Sequence, residues 1–165
     1  MMPSAILLAA GSSVRFGEQN KLMADVQGMP LIRRTFQCLQ KAGIKDILVV
    51  IGPDEAEIVK ALRGCKFQSV RNPSYLEGMG TSISCGVTAL SPSVKSVLII
   101  PADMPEMTPK VIKELIKVFF EDHNGLKIVC PRAPDGSQRN PVLWPKSFFS
   151  HLIMLKGPSG GKHLL

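Results

Sequence analysis

Short apolar runs alternate with helical patterns along this chain, and that alternation constrains the fold more than any other feature. Apolar runs without polar interruption are typical of strands that are buried on both faces of a sheet. The predicted strands are 5–9, 47–51, 97–100 and a weaker one at 67–71, with later candidates at 128–130 and 141–144. We therefore expect an α/β fold of three layers, α/β/α, with a mostly parallel sheet.

Helix signals separate these runs. Pro30 stands where the first helix should begin, and Gly43 stands where it should end. Asp54 precedes Glu57 by three residues, a spacing that predicts a capping arrangement at the start of the second helix. Further along, Thr108-Pro109 combines an N-cap residue with a proline in the first helical position. Ligands of such folds bind at the carboxyl ends of the strands, near the point where the strand order reverses.

Composition and charge limit the class of partner. The chain has 165 residues and a net charge of +7, which fits one domain and suits anionic ligands. The basic residues are scattered and aromatic residues make up only 5%, so we expect a small phosphorylated substrate and no nucleic acid.

No apolar run approaches the roughly 20 residues of a membrane span, and no signal peptide is evident, so we expect a cytoplasmic protein without membrane contact. The four cysteines lack C-x-x-C spacing and are expected to be reduced thiols.

The most specific motif follows the first predicted strand. Gly11 opens a run of small residues, and Arg15 and Lys21 lie beyond it. Small side chains allow backbone N–H groups to converge on an anion, and the two cations can reach the same anion. The pattern predicts a nucleoside triphosphate site. The alternative, from the glycines alone, is a strand-to-helix turn with a solvated Arg and Lys.

This motif also resembles that of a known family. The string Leu8-Ala9-Ala10-Gly11-Ser12-Ser13-Val14-Arg15-Phe16-Gly17, followed by Lys21, resembles the L-A-x-G-x-S-x-R-x-G signature of MobA-like nucleotidyltransferases. Its Ala-Ala-Gly version and Lys21-Leu22 are most similar to molybdenum cofactor cytidylyltransferases. The resemblance implies a Rossmann-like nucleotidyltransferase fold in which Arg15 and Lys21 are catalytic. It also implies a nucleotide-binding segment made of Leu8, Ala9, Ala10, Gly11, Ser12 and Ser13.

A carboxylate, Asp103, lies three residues after the end of the predicted strand 97–100. Asp is a ligand type that Mg²⁺ prefers, although a turn or cap residue is an equal alternative from the residues alone. The segment Pro101-Ala102-Asp103-Met104-Pro105 resembles the A-D-M-P metal site of the same family. The resemblance therefore implies that Asp103 is catalytic and binds Mg²⁺.

A further segment, 72–83, resembles the family pattern N-P-x-(aromatic)-x-x-G-M-x-x-S. Asn72 can offer a donor and an acceptor to a nucleobase edge or a ribose. Thr81 and Ser82 are expected to open a helix, whose free N–H groups favour anions. The implied nucleotide-binding residues are Asn72, Gly78, Thr81 and Ser82. A glycine loop followed by a helix cap is the structural alternative.

Two late segments depart from the family pattern. The segment 138–143 resembles G-H-P-V-L with Asn140 in place of His, and implies that Asn140 and Pro141 contact the acceptor. The segment 157–162 resembles G-D-x-G-A-R, with Pro158 and Lys162 in place of Asp and Arg. Relatives usually continue with an acidic D-x-D-T-P-type segment. We expect a single nucleotidyltransferase domain over 1–165 and leave open that a C-terminal segment is lacking.

The resemblance implies Mg²⁺-dependent transfer of a nucleotidyl group from CTP to the phosphate of a molybdopterin-type cofactor, with release of pyrophosphate. The alternatives are the same reaction with GTP, and a nucleotidyltransferase for another phosphomonoester. A different class is a non-catalytic carrier that hands nucleotide or cofactor to a molybdoenzyme. Turnover separates this class from the others, because a carrier would bind nucleotide without releasing pyrophosphate.

Overall fold

A computed structural model of the chain describes residues 1–11 and 20–165. Its strands form a five-stranded sheet and a small two-stranded one. The large sheet contains β1 (Ser4–Ala9), β4 (Ile47–Ile51), β5 (Gln68–Arg71), β6 (Ser96–Pro101) and β7 (Val142–Pro145), and the small sheet contains β2 (Asp25–Val26) and β3 (Met29–Pro30). The four early strand predictions and the candidate at 141–144 are therefore confirmed within a residue or two.

β1 is the central strand of the large sheet, whose order is β5-β4-β1-β6-β7. It pairs in parallel with β4 on one side and with β6 on the other, while β7 runs antiparallel to β6. The chain builds outward from β1 through β4 to β5 and then crosses to β6 on the opposite side of β1. The strand order thus reverses between β1 and β6, and this is where such a fold places its ligand.

The late candidate strand 128–130 is wrong as a full strand. Only Val129 pairs with the sheet, through an isolated antiparallel bridge to Leu143. Pro131 follows shortly after, and a proline has no backbone N–H with which to extend a ladder.

Five α-helices lie in the described part of the chain. They are α1 (Leu31–Lys41), α2 (Glu55–Ala61), α3 (Met79–Thr88), α4 (Pro109–Lys117) and α5 (Phe149–Ile153). The predicted start of α4 is confirmed, because Thr108 Oγ1 accepts a hydrogen bond from the N–H of Val111 at 3.4 Å. The predicted limits of α1 are confirmed as well, with Pro30 as its N-cap and Gly43 just beyond its end at φ +97°.

The capping arrangement predicted at α2 is only half right. Asp54 does occupy the N-cap position, but its side chain makes no capping hydrogen bond. Its Oδ2 instead accepts a hydrogen bond of 2.7 Å from Nδ2 of Asn20. The sequence pattern predicted the start of the helix correctly. It did not predict that Asn20, which is distant in the chain, would donate to the Asp54 carboxylate in place of the helix backbone.

The helices cover both faces of the large sheet, as the three-layer prediction requires. Alternate residues of the buried strands belong to two separate apolar clusters, because successive side chains of a strand point to opposite faces. Leu7 lies in the cluster that contains Phe36 of α1, Ile58 of α2 and Ile112 of α4. Ile6 lies in the other, with Ile83 of α3 and Leu152 of α5. The predicted α/β/α class is confirmed.

The cysteines behave as the sequence predicted. All four are free thiols, and Cys38 is buried with its Sγ 3.2 Å from the carbonyl oxygen of Met107. Burial raises the pKa of the Cys38, Cys85 and Cys130 thiols. Thiols with a raised pKa are poor nucleophiles, because only the thiolate reacts.

Two glycine-containing loops interlock at the start of α3. Gly78 has φ +113°, and a Cβ built on it would lie 2.6 Å from the carbonyl carbon and oxygen of Gly157. Gly80 N–H donates to the Gly157 carbonyl at 2.9 Å, and a Cβ at Gly80 would lie 2.8 Å from the carbonyl oxygen of Lys156. The late glycine loop, residues 157–161, therefore docks by its backbone on the loop that precedes α3.

We expect Gly80→Ala to lower the free energy of unfolding by about 1–3 kcal/mol, because its Cβ would crowd backbone atoms of the late glycine loop. An open helix position would respond in the opposite direction, since Gly→Ala gains about 1 kcal/mol in helix propensity. Urea unfolding measures the change. Thr88→Ala, an exposed change in the same helix, is the control. An unchanged or stabilised Gly80→Ala protein would contradict the docking.

Candidate active site

A cleft of about 630 Å³ opens at the carboxyl ends of β1 and β6, at the point of strand reversal. Its floor is the end of β1, one wall is the start of α3 with the turn before it, and the other is the segment after β6. The lining residues are Leu8, Ala9, Ala10, Gly11, Lys21, Leu22, Tyr75, Leu76, Gly78, Met79, Ser82, Pro101 and Asp103. The structure thus brings together most of the described residues that the sequence singled out.

Lys21 and Asp103 meet at this cleft from segments 82 residues apart. Lys21 Nζ lies 3.4 Å from Asp103 Oδ2, and their side chains are 47% and 46% exposed. An exposed ion pair of this kind contributes little to stability, about 0–1 kcal/mol. Breaking this one contact would therefore cost little stability. The other predicted catalytic residue, Arg15, lies outside the described residues, as do Ser12 and Ser13.

Hydrogen bonds to β1 and α1 hold the segment that carries Asp103. The N–H of Ala102 donates to the Leu8 carbonyl at 3.0 Å, which continues the pairing of β1 with β6 past the end of the strands. Thr35 of α1 is completely buried, and its hydroxyl donates to the Ala102 carbonyl at 2.8 Å. Arg34 Nε donates to the Pro105 carbonyl at 3.0 Å. Helix α1 therefore fixes the backbone on both sides of Asp103.

Sequence reasoning missed Thr35, although the chain carries a signal for it. Thr35 is a polar residue in the apolar stripe of α1, beside the buried Leu31, Ile32, Phe36 and Leu39. A hydroxyl in such a stripe needs a partner, because a buried polar group without a hydrogen bond is costly. The sequence could not indicate which carbonyl group would supply it.

The segment that carries Lys21 is held by Asn20, which is 6% exposed. Asn20 Oδ1 accepts a hydrogen bond from the N–H of Leu22 at 2.9 Å, and its Nδ2 donates to Asp54 at 2.7 Å. The single turn 21–23 therefore begins with a side-chain cap that is tied to the loop after β4. Sequence reasoning did not identify Asn20 or Asp54 as part of the site.

Asn72 lies beneath the cleft rather than in its lining, with 2% of its surface exposed. Its Nδ2 donates to Thr81 Oγ1 at 3.0 Å and to Ser82 Oγ at 2.9 Å. Its Oδ1 accepts from the N–H of Ser74 at 2.9 Å. Because both amide hydrogens are engaged inside the protein, the contribution of Asn72 in this structure is to hold Ser82, which does line the cleft.

Thr81 and Ser82 are the third and fourth residues of α3, so the prediction that they open the helix is displaced by two residues. Gly78 is the N-cap. The Thr81 hydroxyl lies 2.8 Å from the carbonyl oxygen of Gly78, and it joins the turn before α3 to the helix.

Asn140 and Pro141 are not among the residues that line the cleft. Val142 pairs with Ile99 in the antiparallel register, so the two preceding residues lie beside the carboxyl end of β6. Asn140 is exposed and Pro141 is buried. They lie at the same edge of the sheet as the cleft.

The fit of a divalent cation depends on Asp103. In residues 1–11 and 20–165, no group of three or more His, Cys, Asp or Glu side chains could hold a metal. Asp103 is the one carboxylate among the described residues of the cleft lining. Mg²⁺ is usually held by one or two carboxylates together with substrate phosphates and water, so this donor set fits a cation that arrives with a nucleotide.

Comparison with known proteins supplies the family. The model of the MobA-like NTP transferase domain matches residues 5–165. The chain belongs to this family. It is therefore a nucleotidyltransferase by family, and the resemblance noted in the first motif is confirmed.

Two curated relatives illustrate the breadth of the match. A probable molybdenum cofactor guanylyltransferase of Pyrococcus horikoshii is 31% identical over 136 residues, which are 80% of this chain and 63% of that protein. The bifunctional protein GlmU of Acetivibrio thermocellus is 29% identical over 138 residues, which are 82% of this chain and 30% of that protein. The chain thus spans less than two thirds of the length of either relative.

Solved structures confirm the nucleotidyltransferase fold. Rv0371c of Mycobacterium tuberculosis has a TM-score of 0.83 at 20% identity, covering 98% of this chain and 80% of that one. Its complex with manganese has a TM-score of 0.78 at 19% identity, covering 99% and 82%. A nucleotidyl transferase from Methanothermobacter has a TM-score of 0.79 at 22% identity, covering 95% and 78%.

Among the described residues, no helix is both long enough and apolar enough to cross a membrane.

We expect Thr35→Val to lower the free energy of unfolding by about 1–3 kcal/mol, because it leaves the buried Ala102 carbonyl without its side-chain donor. Thr35→Ser keeps the hydroxyl and should lose less than 1 kcal/mol, roughly the worth of one buried methyl group. Urea unfolding of the two variants measures the difference. Equal destabilisation of both would show that the hydroxyl does not support the Asp103 segment.

Proposed function

We propose that this protein transfers a nucleotidyl group from a nucleoside triphosphate to a phosphomonoester, with CTP as the nucleotide and a molybdopterin-type cofactor as the acceptor. We also propose that it does so in the cytoplasm and in the service of a molybdoenzyme. The observation that carries the proposal is the meeting of Lys21 and Asp103 at the end of β1, in the cleft at the strand reversal. One cation and one carboxylate there are suited to a polyphosphate and its metal ion.

The proposed reaction places few demands on acid–base groups. An oxygen of the acceptor phosphate attacks the α-phosphorus of the nucleotide and forms a new P–O bond. The bond between the α-phosphorus and the oxygen that bridges to the β-phosphate breaks. Pyrophosphate leaves with the bonding electrons. A phosphomonoester is already an anion near neutral pH, so the acceptor needs no base. The protein must instead bring anions together in line and stabilise charge on the leaving group.

The described residues can meet these two demands. The end of β1, from Leu8 to Gly11, would hold the nucleotide, with Ser12 and Ser13 as the proposed continuation. Lys21 would neutralise charge on the α-phosphate and on the leaving group, and Arg15 is proposed for the same role. Asp103 would hold Mg²⁺, which when bound supplies Lewis acidity toward the phosphate oxygens. Gly78 and Ser82 would form the opposite wall, supported by Asn72 and Thr81.

The choice of CTP depends on Ala10, at the position where guanylyl relatives usually carry Gly. Ala10 is 2% exposed, and it lies in the apolar cluster on the α3 side of the sheet. Ala10 also belongs to the cleft lining, and we propose that its methyl group limits the space for the base there. GTP is the second candidate, because the Pyrococcus relative is named a guanylyltransferase.

The acceptor assignment depends on the family and on Asn140 and Pro141 at the same edge of the sheet. A nucleotidyltransferase for another phosphomonoester is the alternative, and the matches to GlmU proteins favour keeping it. A non-catalytic carrier is the alternative from a different class. Pyrophosphate release with purified protein and each acceptor separates these three.

We expect Asp103→Asn to abolish Mg²⁺-dependent pyrophosphate release and to leave the melting temperature nearly unchanged. The amide is almost isosteric, so the packing is preserved, but it lacks the negative charge that a hard cation requires. Both quantities are measured on one preparation. Glu106→Gln, an exposed change three residues away, is the matched control and should keep full activity. Full activity in Asp103→Asn would show that the metal is held elsewhere.

We expect CTP with Mg²⁺ to stabilise the protein more than GTP with Mg²⁺ in a thermal-shift experiment. A ligand at about 100 times its Kd adds about 2.7 kcal/mol of stability, so a difference in affinity is measurable as a difference in melting temperature. Ala10→Gly should move the preference toward GTP. Stronger stabilisation of the unmodified protein by GTP would overturn the cytidylyl assignment and keep the transferase proposal.

A further inference from the structure

We infer that Asp54 is a positioning residue for Lys21 and acts through Asn20. The inference rests on the proposed function, because that function assigns Lys21 to the nucleotide phosphates. Asp54 lies in the loop after β4, and Asn20 immediately precedes Lys21 in the chain. None of the sequence motifs includes Asp54 in the site, so this role adds a residue from a third segment of the sheet edge.

A continuous set of contacts joins the two residues. Asp54 Oδ2 accepts a hydrogen bond from Asn20 Nδ2 at 2.7 Å, and Asn20 Oδ1 accepts from the N–H of Leu22 at 2.9 Å. The Asn20 carbonyl accepts from the N–H of Met23 at 2.9 Å. Asn20 thus holds the backbone of the turn that carries Lys21 at two further points, and Asp54 fixes the orientation of Asn20.

Because Asp54 accepts this hydrogen bond, it does not make the usual capping hydrogen bond to its own helix, α2. Asp54 occupies the N-cap position of α2, where an aspartate normally accepts from the backbone N–H groups of its own helix. Its carboxylate instead engages Asn20, which is nearly buried. A hydrogen bond with an ionised acceptor is stronger than a neutral one, so the orientation of the Asn20 amide is firmly set.

The loop that carries Asp54 is itself fixed to the floor of the cleft. A Cβ built on Gly52 would lie 2.5 Å from the carbonyl oxygen of Ala10. The backbone at 52 therefore passes directly against the end of β1. Asp54, two residues later, is held relative to the same residues that line the nucleotide site.

A fixed backbone at the turn 21–23 matters because the lysine side chain does not by itself adopt one position. Its ammonium group stands on a flexible four-carbon stem, and ordering that stem costs conformational entropy. A fixed backbone limits the positions that Nζ can sample to those near the cleft. Loss of Asp54 should therefore weaken the action of Lys21 without removing its charge.

The experiment is a double-mutant cycle with Asp54→Ala, Lys21→Ala and the double variant, read as nucleotide Kd and as kcat for pyrophosphate release. We expect Lys21→Ala to lower kcat by about 100-fold, as for removal of one stabilising group. Asp54→Ala should lower it by about 10-fold, as for a small misplacement. The double variant should match Lys21→Ala within about a factor of two, because the two residues act as a unit. Asp54→Asn, which retains an acceptor oxygen, should recover part of the loss.

Two further measurements separate positioning from general stability. Hydrogen exchange at the Leu22 amide should be about 10-fold faster in Asp54→Ala, since exchange reports local opening. Glu57→Ala, an exposed carboxylate in the first turn of the same helix, is the matched control and should change neither exchange nor kcat. Unchanged exchange at Leu22, or additive effects of Asp54→Ala and Lys21→Ala, would overturn the inference.

Failure of the proposed function has a different signature. A wild-type protein that binds CTP or GTP but releases no pyrophosphate would refute the transferase proposal. The role of Asp54 would then still be decided by two measurements. These are the double-mutant cycle of Asp54 and Lys21, read as nucleotide Kd, and hydrogen exchange at the Leu22 amide. A wild-type protein that binds no nucleoside triphosphate, with CTP, GTP, ATP and UTP all tested, refutes both, because Lys21 would then have no phosphate to contact.

Discussion

The parallel pairing of β1 with β6 is the interaction on which the site depends. Leu8 is opposite Pro101 in the register, and the N–H of Ala102 donates to the Leu8 carbonyl just beyond the strands. These contacts set the separation between the end of β1 and Asp103. Among the described residues, the cleft lining extends from the end of β1 to the segment after β6 and to the start of α3, while β4 pairs with the other side of β1. A slip of one residue in this register would turn Asp103 toward the opposite face.

The ion pair of Lys21 and Asp103 in the cleft is a weak interaction, because both side chains are exposed to water. Lys21 and Asp103 neutralise each other across 3.4 Å while both remain about half exposed. In that setting water screens the attraction between them, and under the proposed function the polyphosphate would compete with Asp103 for Lys21. Under the same proposal, the Asp103 carboxylate would then bind the cation that accompanies the nucleotide.

Much of this arrangement could be predicted from the sequence. The apolar runs predicted the sheet because strands that are buried on both faces need continuous apolar residues. Asp103 could be placed at the sheet edge because it lies three residues after one of these runs. The actual bonds of Asp54, Thr35 and Asn72 could not be predicted. Each of these side chains is satisfied by a partner distant in sequence or by a backbone group whose position depends on the whole fold. Local patterns, such as the spacing of Asp54 and Glu57, predict only local bonds.

The run at 128–130 illustrates a related limit. Its apolar residues are partly or fully buried beside β7, so the pattern correctly indicated burial, but Pro131 interrupts the hydrogen bonds that would make a strand. Burial and ladder formation are separate properties, and periodicity reports only the first.

The contact between the loop that precedes α3 and the late glycine loop has a consequence for protein engineering. Neither backbone leaves room for a Cβ on the glycines of the first loop, so the two segments fit each other as a matched pair. A graft that exchanges only residues 72–83 with those of a homologue would bring a loop shaped for a different counterpart. Chimeras that exchange residues 72–83 should therefore transplant both segments together, although about 70 residues of sequence separate them.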